Sequence, residues 1–147
     1  MRIKNTISFF IATLLFIVSG CTSAPKPPDA TATIDGENIE LSKGSYQWEE
    51  QGTITNAIDV PPMERAKELE KTIIDRNSFA TINFSDGSDP QLTANSWEEV
   101  KGERRKKDLS LEGNQLKFPS KTGRYVFEIV AEWFNGDASY TFVVEVQ

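Results

Sequence analysis

The sequence predicts an all-β fold in which two antiparallel sheets pack face to face, and three observations lead to this prediction. After residue 31, apolar and polar residues alternate with a period of two over much of the chain, as they do in strands with one buried face. Turn-forming residues recur about every ten residues, as expected for a sandwich of short strands. The chain has 147 residues, 38% of them hydrophobic, which suits one core rather than two.

Residues 1–20 have the features of a secretory signal peptide. Two basic residues precede a mostly apolar run from Ile7 to Val18, which is shorter than the roughly 20 residues that span a bilayer. The following Val18-Ser19-Gly20-Cys21 resembles the lipobox of bacterial lipoproteins. The resemblance implies cleavage between Gly20 and Cys21 and a diacylglyceryl group on Cys21, which would anchor the chain on the outer face of the cell membrane. The alternative is an ordinary signal peptide with an accidental cysteine.

Residues 21–30 are predicted to be the lipidated cysteine and a proline-rich tether. This segment contains Pro25, Pro27 and Pro28 and no large apolar residue, so we expect it to stay extended and outside any core. A spacer and a disordered stub of no required length both fit this composition. The domain itself is predicted to comprise residues 31–147.

The first strands of the domain are predicted from short alternating stretches. They comprise a hairpin around Asp35-Gly36, strands at 45–49, 79–84 and 91–97, and a pair of strands flanking Gly113-Asn114. One segment departs from this period. Pro61-Pro62 opens a stretch in which apolar residues recur every three to four positions, which predicts one short helix near residues 61–71, packed across a sheet edge or one end of the sandwich.

The C-terminal region carries the clearest strand pattern. Every second residue is apolar from Tyr125 to Trp133 and again from Tyr140 to Val146. Asn135-Gly136 lies between the two stretches and favours a tight turn, so an antiparallel hairpin is predicted. Together the elements indicate an immunoglobulin-like antiparallel β-sandwich of about seven to nine strands.

Composition excludes several classes of function. Removal of residues 1–20 would leave 14 basic and 22 acidic residues, a net charge of -8 (14 minus 22), which should repel nucleic acid. The chain has no histidine and one cysteine, Cys21, so acylation would leave no thiol for catalysis, zinc or a disulfide. The carboxylate pairs Glu49-Glu50 and Glu98-Glu99 point to opposite faces of a strand, unlike the facing acids of glycosidases. The sequence therefore predicts no enzyme, cofactor or metal site.

The candidate binding residues form the only basic run in this acidic domain. The run could contact anionic lipid headgroups or wall polymers, or it could be a solvated loop partly neutralised by neighbouring acids. Its residues are Lys101, Arg104, Arg105, Lys106 and Lys107.

Two further features each have a functional and a structural interpretation. Four aromatic residues could form a ligand platform, although such residues usually fill the space between two sheets; they are Tyr46, Trp48, Trp97 and Trp133. Oxygen-bearing side chains at residues 85–89 could bind calcium, although a plain turn explains them as well; they are Ser85, Asp86, Ser88 and Asp89.

Several segments combine strand aromatics with turn glycines. They are Gly44 to Trp48, Pro61-Pro62, Ile82 to Ser85, Trp97, Pro119 and the stretch from Gly123 through Trp133 to Phe142. Together they resemble a group of small uncharacterised lipoproteins from Bacillus-type bacteria. Some members have cysteine where this chain has Gln47, but a single cysteine cannot form a disulfide here. The resemblance covers most of the mature chain and implies a Gram-positive envelope lipoprotein with a β-sandwich; it implies no activity.

The sequence thus leads to a functional hypothesis with alternatives. The leading hypothesis is a membrane-anchored, non-enzymatic module that binds a protein or polymer of the cell envelope. A protease-inhibitor-like module is the runner-up, since sandwich loops can plug an active-site cleft. A carboxylate-based hydrolase is the third.

Overall fold

Alternating apolar residues produce two packed β-sheets in the computed structural model, which describes residues 23–147. The predicted signal peptide, its cleavage site after Gly20 and the lipidation site Cys21 lie outside the described residues. No helix within residues 23–147 is long and apolar enough to cross a membrane.

The described residues form twelve strands and one short helix, α1 (Pro62–Arg65), which lies between β4 and β5. The strands are β1 (Ala30–Ile34), β2 (Glu37–Glu40), β3 (Ser42–Glu50), β4 (Thr53–Ala57), β5 (Lys71–Ile74), β6 (Phe79–Phe84), β7 (Gln91–Val100), β8 (Glu103–Leu109), β9 (Leu111–Glu112), β10 (Gln115–Lys117), β11 (Gly123–Trp133) and β12 (Gly136–Val146). The smaller sheet has the order β2-β1-β6-β10-β9. The larger has the order β4-β3-β12-β11-β7-β8, and β5 adds to β12 in parallel.

The predicted all-β antiparallel sandwich is confirmed, but the number of strands exceeds the predicted seven to nine. The additional strands include β4, β5 and β8, which lack the apolar-polar alternation of the core strands. They lie at or near the margins of the larger sheet, where backbone pairing needs only one neighbour and side chains on both faces can meet solvent.

The core lies between the two sheets and is dominated by the predicted C-terminal hairpin, which is confirmed. Strands β11 and β12 pair from Gly123 opposite Val146 to Trp133 opposite Gly136, and Phe134 and Asn135 form the connection. The inward residue Phe127 is fully buried and packs against the rings of Phe118 and Phe142, with both pairs of ring centroids 5.3 Å apart.

The predicted helix near residues 61–71 is one turn long and lies elsewhere than expected. It ends at Arg65, and β5 begins at Lys71. Ala66 is buried against Val126 and Val143, on the outer face of the larger sheet rather than at its edge or end. Apolar residues at helical spacing attach this segment to the sheet, but the helix ends at Arg65 and the chain pairs with β12 from Lys71 onward.

The domain begins earlier than predicted, because part of the proposed tether is packed. Pro27 is buried, and its carbonyl oxygen accepts a hydrogen bond of 2.6 Å from Lys43 Nζ. Ala30 is fully buried at the start of β1. Small side chains fill the space here and buried polar groups bond to the backbone, so the absence of large apolar residues was a misleading signal. A spacer can therefore comprise residues 21–26 only.

Tyr140 secures this N-terminal segment. Its hydroxyl donates a 2.6 Å hydrogen bond to the Pro28 carbonyl oxygen, and burial raises the pKa of the phenol well above its ordinary value. Tyr140→Phe is expected to lower the free energy of unfolding by about 1–2 kcal/mol, since it leaves a carbonyl without its donor. Urea denaturation measures this, and hydrogen exchange at residues 29–31 should quicken.

Tyr125→Phe is the matched control, since the Tyr125 hydroxyl bonds to the Lys121 carbonyl oxygen in an exposed setting. We expect a loss of about 0.5 kcal/mol or less there, because water replaces the bond. Equal stability of Tyr140→Phe and wild type would contradict the role assigned to Tyr140.

Candidate functional site

The predicted basic run lies on an edge strand rather than in a loop. Lys101 and Gly102 form the turn after β7, both with positive φ. The chain then returns as β8, which pairs with β7 along its whole length and ends the larger sheet. Strand β8 has almost no apolar residues, so its sequence shows no apolar-polar alternation that would predict a strand. Lysine and arginine are nevertheless common on edge strands, because they discourage pairing with other chains.

Strand geometry separates the basic residues into two sets. Arg104 and Lys106 lie opposite Glu99 and Trp97, on the outer face of the larger sheet. Arg105 and Lys107 alternate with them and point to the other face. The run is therefore not a single cluster of five charges.

Arg104 borders a cleft of about 300 Å³ between residues 62–67, which we call the α1 segment, and strands β7, β8 and β11. We call it the Trp97 cleft. Its lining residues are Met63, Ala66, Lys67, Trp97, Glu98, Glu99, Arg104, Arg124 and Val126.

Hydrogen bonds hold the floor of the Trp97 cleft in place. Trp97 Nε1 donates to Glu128 Oε2 at 3.1 Å, and Lys106 Nζ lies 5.9 Å from the centroid of the Trp97 ring. The ring is half-buried beside Val126. The indole is thereby fixed at its nitrogen, and its exposed part can make stacking or apolar contacts.

The wall formed by the α1 segment is fixed by polar contacts with the sheet. Arg124 donates a 3.0 Å hydrogen bond to the Ala66 carbonyl oxygen. Glu64 accepts hydrogen bonds from Lys67 and from Arg104, and these bonds lower its pKa. These contacts join three chain segments distant in sequence, and so they shape the cleft.

Two cations beside the cleft form no direct ion pair in the described part of the chain, although Arg124 lies opposite Glu145 of β12. Arg104 is paired with Glu64. Within residues 23–147, neither Arg124 nor Lys106 forms an ion pair with a carboxylate. An apolar floor beside unpaired cations can accept a ligand that carries carboxylate or phosphate groups next to an apolar part, and guanidinium groups bind both kinds of anion well.

The four aromatic residues do not form the platform considered from the sequence. Trp48 is buried, and the ring of Trp133 packs edge to face against Trp48 and Phe84 at centroid distances of 5.2 and 5.0 Å. Tyr46 packs against the same core. Their core interpretation is confirmed, and Trp97 alone of the four lies on the outer face.

The oxygen-bearing residues at positions 85–89 form a turn. Asp86 Oδ1 accepts hydrogen bonds from Ser88 N at 3.0 Å and Ser88 Oγ at 2.7 Å, and the side-chain bond lowers the pKa of Asp86. Ser88 Oγ also accepts a bond from Trp133 Nε1. Across the part of the chain that the structure describes, no three acidic, histidine or cysteine side chains are grouped to hold a metal ion. The hydrogen bonds within residues 85–89 are those of a turn, which was the structural interpretation of this segment.

Sequence reasoning missed Arg124, Met63 and Glu64 as part of the site. Arg124 precedes a core strand, and its position becomes informative only through the register that places Val126 opposite Trp97. Met63 and Glu64 were assigned to a helix that was expected at a sheet edge or one end of the sandwich. Had the register of β7 against β11 been predicted, it would have placed Arg124 near Trp97 on the same face of the sheet.

Comparison of the chain with protein-family models, with curated proteins and with solved structures yields no match.

The Asp59–Arg65 ion pair predicts a dependence of stability on pH. The hydrogen bond from Arg65, followed by that from Val60 N–H, holds the pKa of Asp59 below its ordinary value. A carboxylate with a lowered folded pKa adds stability above its unfolded pKa of about 3.9, and this stability is lost as the pH falls through the folded pKa. Asp59→Asn should therefore be less stable than wild type at pH 6, by about 1 kcal/mol, and the difference should shrink towards pH 2.5.

Urea denaturation at both pH values measures this difference. Asp137→Asn is the control, because Asp137 is exposed and has no ion pair among residues 23–147; it should match wild type at both. A gap between Asp59→Asn and wild type that stays constant with pH would contradict the assignment.

Proposed function

We propose that the protein is a non-enzymatic binding module of the cell envelope, anchored by lipid on Cys21, whose Trp97 cleft binds an anionic wall polymer. The observation that carries the proposal is the cleft itself, which holds a fixed indole together with Arg104 and Arg124, while Lys106 Nζ lies over the indole ring. The lipobox-like residues before Cys21 support the anchor.

The position of the N-terminal segment allows the Trp97 cleft to face a wall polymer. The chain enters the sandwich at Pro27, beside Lys43 of β3, whereas β8 is the opposite edge of the sheet. Four strand spacings separate β3 from β8, or about 19 Å at about 4.8 Å each. A spacer of residues 21–26 reaches about 19 Å at about 3.1 Å per residue, which is enough for the domain to turn β8 away from the lipid.

The spacing of the cations also suits a polymer. Arg104 and Lys106 are two residues apart on β8, which places them about 7 Å from each other along the strand. Arg124 adds a third cation across the cleft. Successive anionic groups of one chain can meet these cations while an apolar or sugar part lies on Trp97.

The test uses isolated cell walls, with their phosphate polymers either intact or chemically removed. Residues 23–147 should bind the intact walls at low salt and lose binding when the polymers are removed. Arg104→Gln with Lys106→Gln should weaken binding by about 5- to 30-fold, since two charge contacts are worth roughly 1–2 kcal/mol together.

The matched control is Arg105→Gln with Lys107→Gln, which removes the same charge from the same strand on the other face. Binding by this control should stay within about twofold of wild type, because the contact depends on the Trp97 face rather than on net charge. Equal losses for the two double variants, or binding that survives polymer removal, would contradict the proposal.

A further inference from the structure

One edge of the larger sheet lacks the features that usually prevent strands from pairing with other chains. Natural edges are protected by charge, proline, bulges or very short strands. At the opposite edge, β8 has six charged residues among seven, and in the smaller sheet β2 has two glutamates and β9 has two residues. Strand β4, with the sequence Thr-Ile-Thr-Asn-Ala, has no charge and no proline.

Exposed apolar side chains are concentrated at the same place. Ile54, Ile58 and Val60 are 59%, 97% and 50% exposed, and they are three of the six large hydrophobic residues exposed in the described part of the chain. We call residues 53–60 the β4 edge. Within residues 23–147, β4 pairs with β3 on one side and with no strand on the other.

We propose that the β4 edge pairs with the β4 edge of a second copy of this chain, in antiparallel orientation. A two-fold axis at Asn56 places Ile54 of each copy opposite Ile58 of the other, so the most exposed apolar side chains of the segment cover one another. Residues 53–58 carry no charge. Like-charged residues therefore do not face each other across the central pairs, which would otherwise be destabilising.

Charge favours this edge as the place where two copies can meet. The chain is acidic, with a formal charge of -6, so its copies repel each other over most surfaces. The nearest glutamates, Glu49 and Glu50, lie on β3. In the paired arrangement the two β3 strands are three spacings apart, about 14 Å, which exceeds the Debye length of about 10 Å at 0.1 M salt.

The contact is small, and its population depends on local concentration. Pairing of two five-residue strands buries less than the roughly 1,200 Å² of a standard stable interface. Confinement to a membrane surface raises the effective concentration of the copies. This last step rests on the anchor in the proposed function.

The test is cysteine cross-linking of the full chain in intact cells, since Cys21 is the only native cysteine. Asn56→Cys places two thiols at the two-fold axis, and addition of an oxidant should give a disulfide-linked dimer. Lys107→Cys is the matched control, because it is exposed near the middle of the opposite edge strand; it should give at least tenfold less dimer, and wild type should give none. Adding Ile54→Lys and Ile58→Lys to Asn56→Cys should reduce the dimer at least tenfold.

Two outcomes would overturn the pairing: no dimer from Asn56→Cys in any cell fraction, or equal dimer from Lys107→Cys. Fractionation of the same cells reports on the anchor separately. A dimer of Asn56→Cys in the soluble fraction, with none from soluble wild type through Cys21, would support the pairing and contradict the anchor, so the two proposals can fail independently.

Discussion

Phe127→Ala is expected to lower the free energy of unfolding of residues 23–147 by about 4 kcal/mol, because truncation of a buried phenylalanine leaves a cavity that the core fills only in part. Phe127 is 0% exposed. Its ring stacks on Phe142 at an interplanar angle of 28° and meets Phe118 at 62°. A loss of this size is a large fraction of the stability of an ordinary domain.

Phe134→Ala provides the matched control, since Phe134 lies at the tip of the same hairpin and its relative exposure is 102%. We expect a change within about 0.5 kcal/mol there. Urea denaturation followed by tryptophan fluorescence compares the two variants, because Trp133 and Trp48 pack together in the core. Similar effects of the two substitutions would contradict the assigned core.

Gly136→Ala is expected to have the second largest effect, a loss of about 3 kcal/mol through overpacking. Gly136 begins β12 opposite Trp48 of β3. A Cβ atom at this position would overlap the carbonyl oxygen of Gln47 and lie 3.0 Å from Trp48 Cα. Both neighbours are backbone atoms of a paired strand, so neither can move without disturbing the sheet.

Gly52→Ala separates this steric effect from backbone strain. Gly52 has a φ of +77°, and a Cβ atom added to it would have no neighbouring atom within 4 Å. Its substitution should therefore cost about 1–2 kcal/mol from the left-handed backbone alone. Urea midpoints for the two alanine variants give the comparison. A Gly136→Ala protein at least as stable as Gly52→Ala would show that β3 and β12 do not approach as closely as described.

The central part of the fold could be predicted because its strands alternate. Strands β6 and β11 each bury every second residue over most of their length, and an alternation in sequence reports that burial directly. The turn at Asp35-Gly36 was also predictable, since both residues adopt positive φ. The strands could be predicted from the alternation of apolar and polar residues, and the turn from residues that tolerate positive φ.

The candidate site was less predictable because it depends on the pairing of distant segments. Charged residues on β8 gave no strand signal, and strand alternation then divided them between two faces. Apolar residues at helical spacing indicated a helix to about residue 71, but the helix is one turn long and the chain pairs with β12 from Lys71 onward. Neither effect is visible without the register of β7, β11 and β12.

The start of the domain was misplaced for a different physical reason. Burial of Pro27 and Ala30 depends on a space just large enough for small side chains, and on the bonds donated by Lys43 and Tyr140 to backbone oxygens. A search for large apolar residues cannot detect such packing. The consequence is a spacer several residues shorter than predicted, which places the domain closer to the proposed anchor.

The anchor on Cys21 is the claim on which the proposed function most depends, and intact mass with membrane fractionation tests it most directly. The full chain and its Cys21→Ala variant would be expressed in a Gram-positive host. We predict that the wild type loses residues 1–20, gains the mass of a diacylglyceryl group and stays with the membranes, and that the variant lacks this group and leaves the membrane fraction. A soluble wild-type protein without lipid would contradict the account.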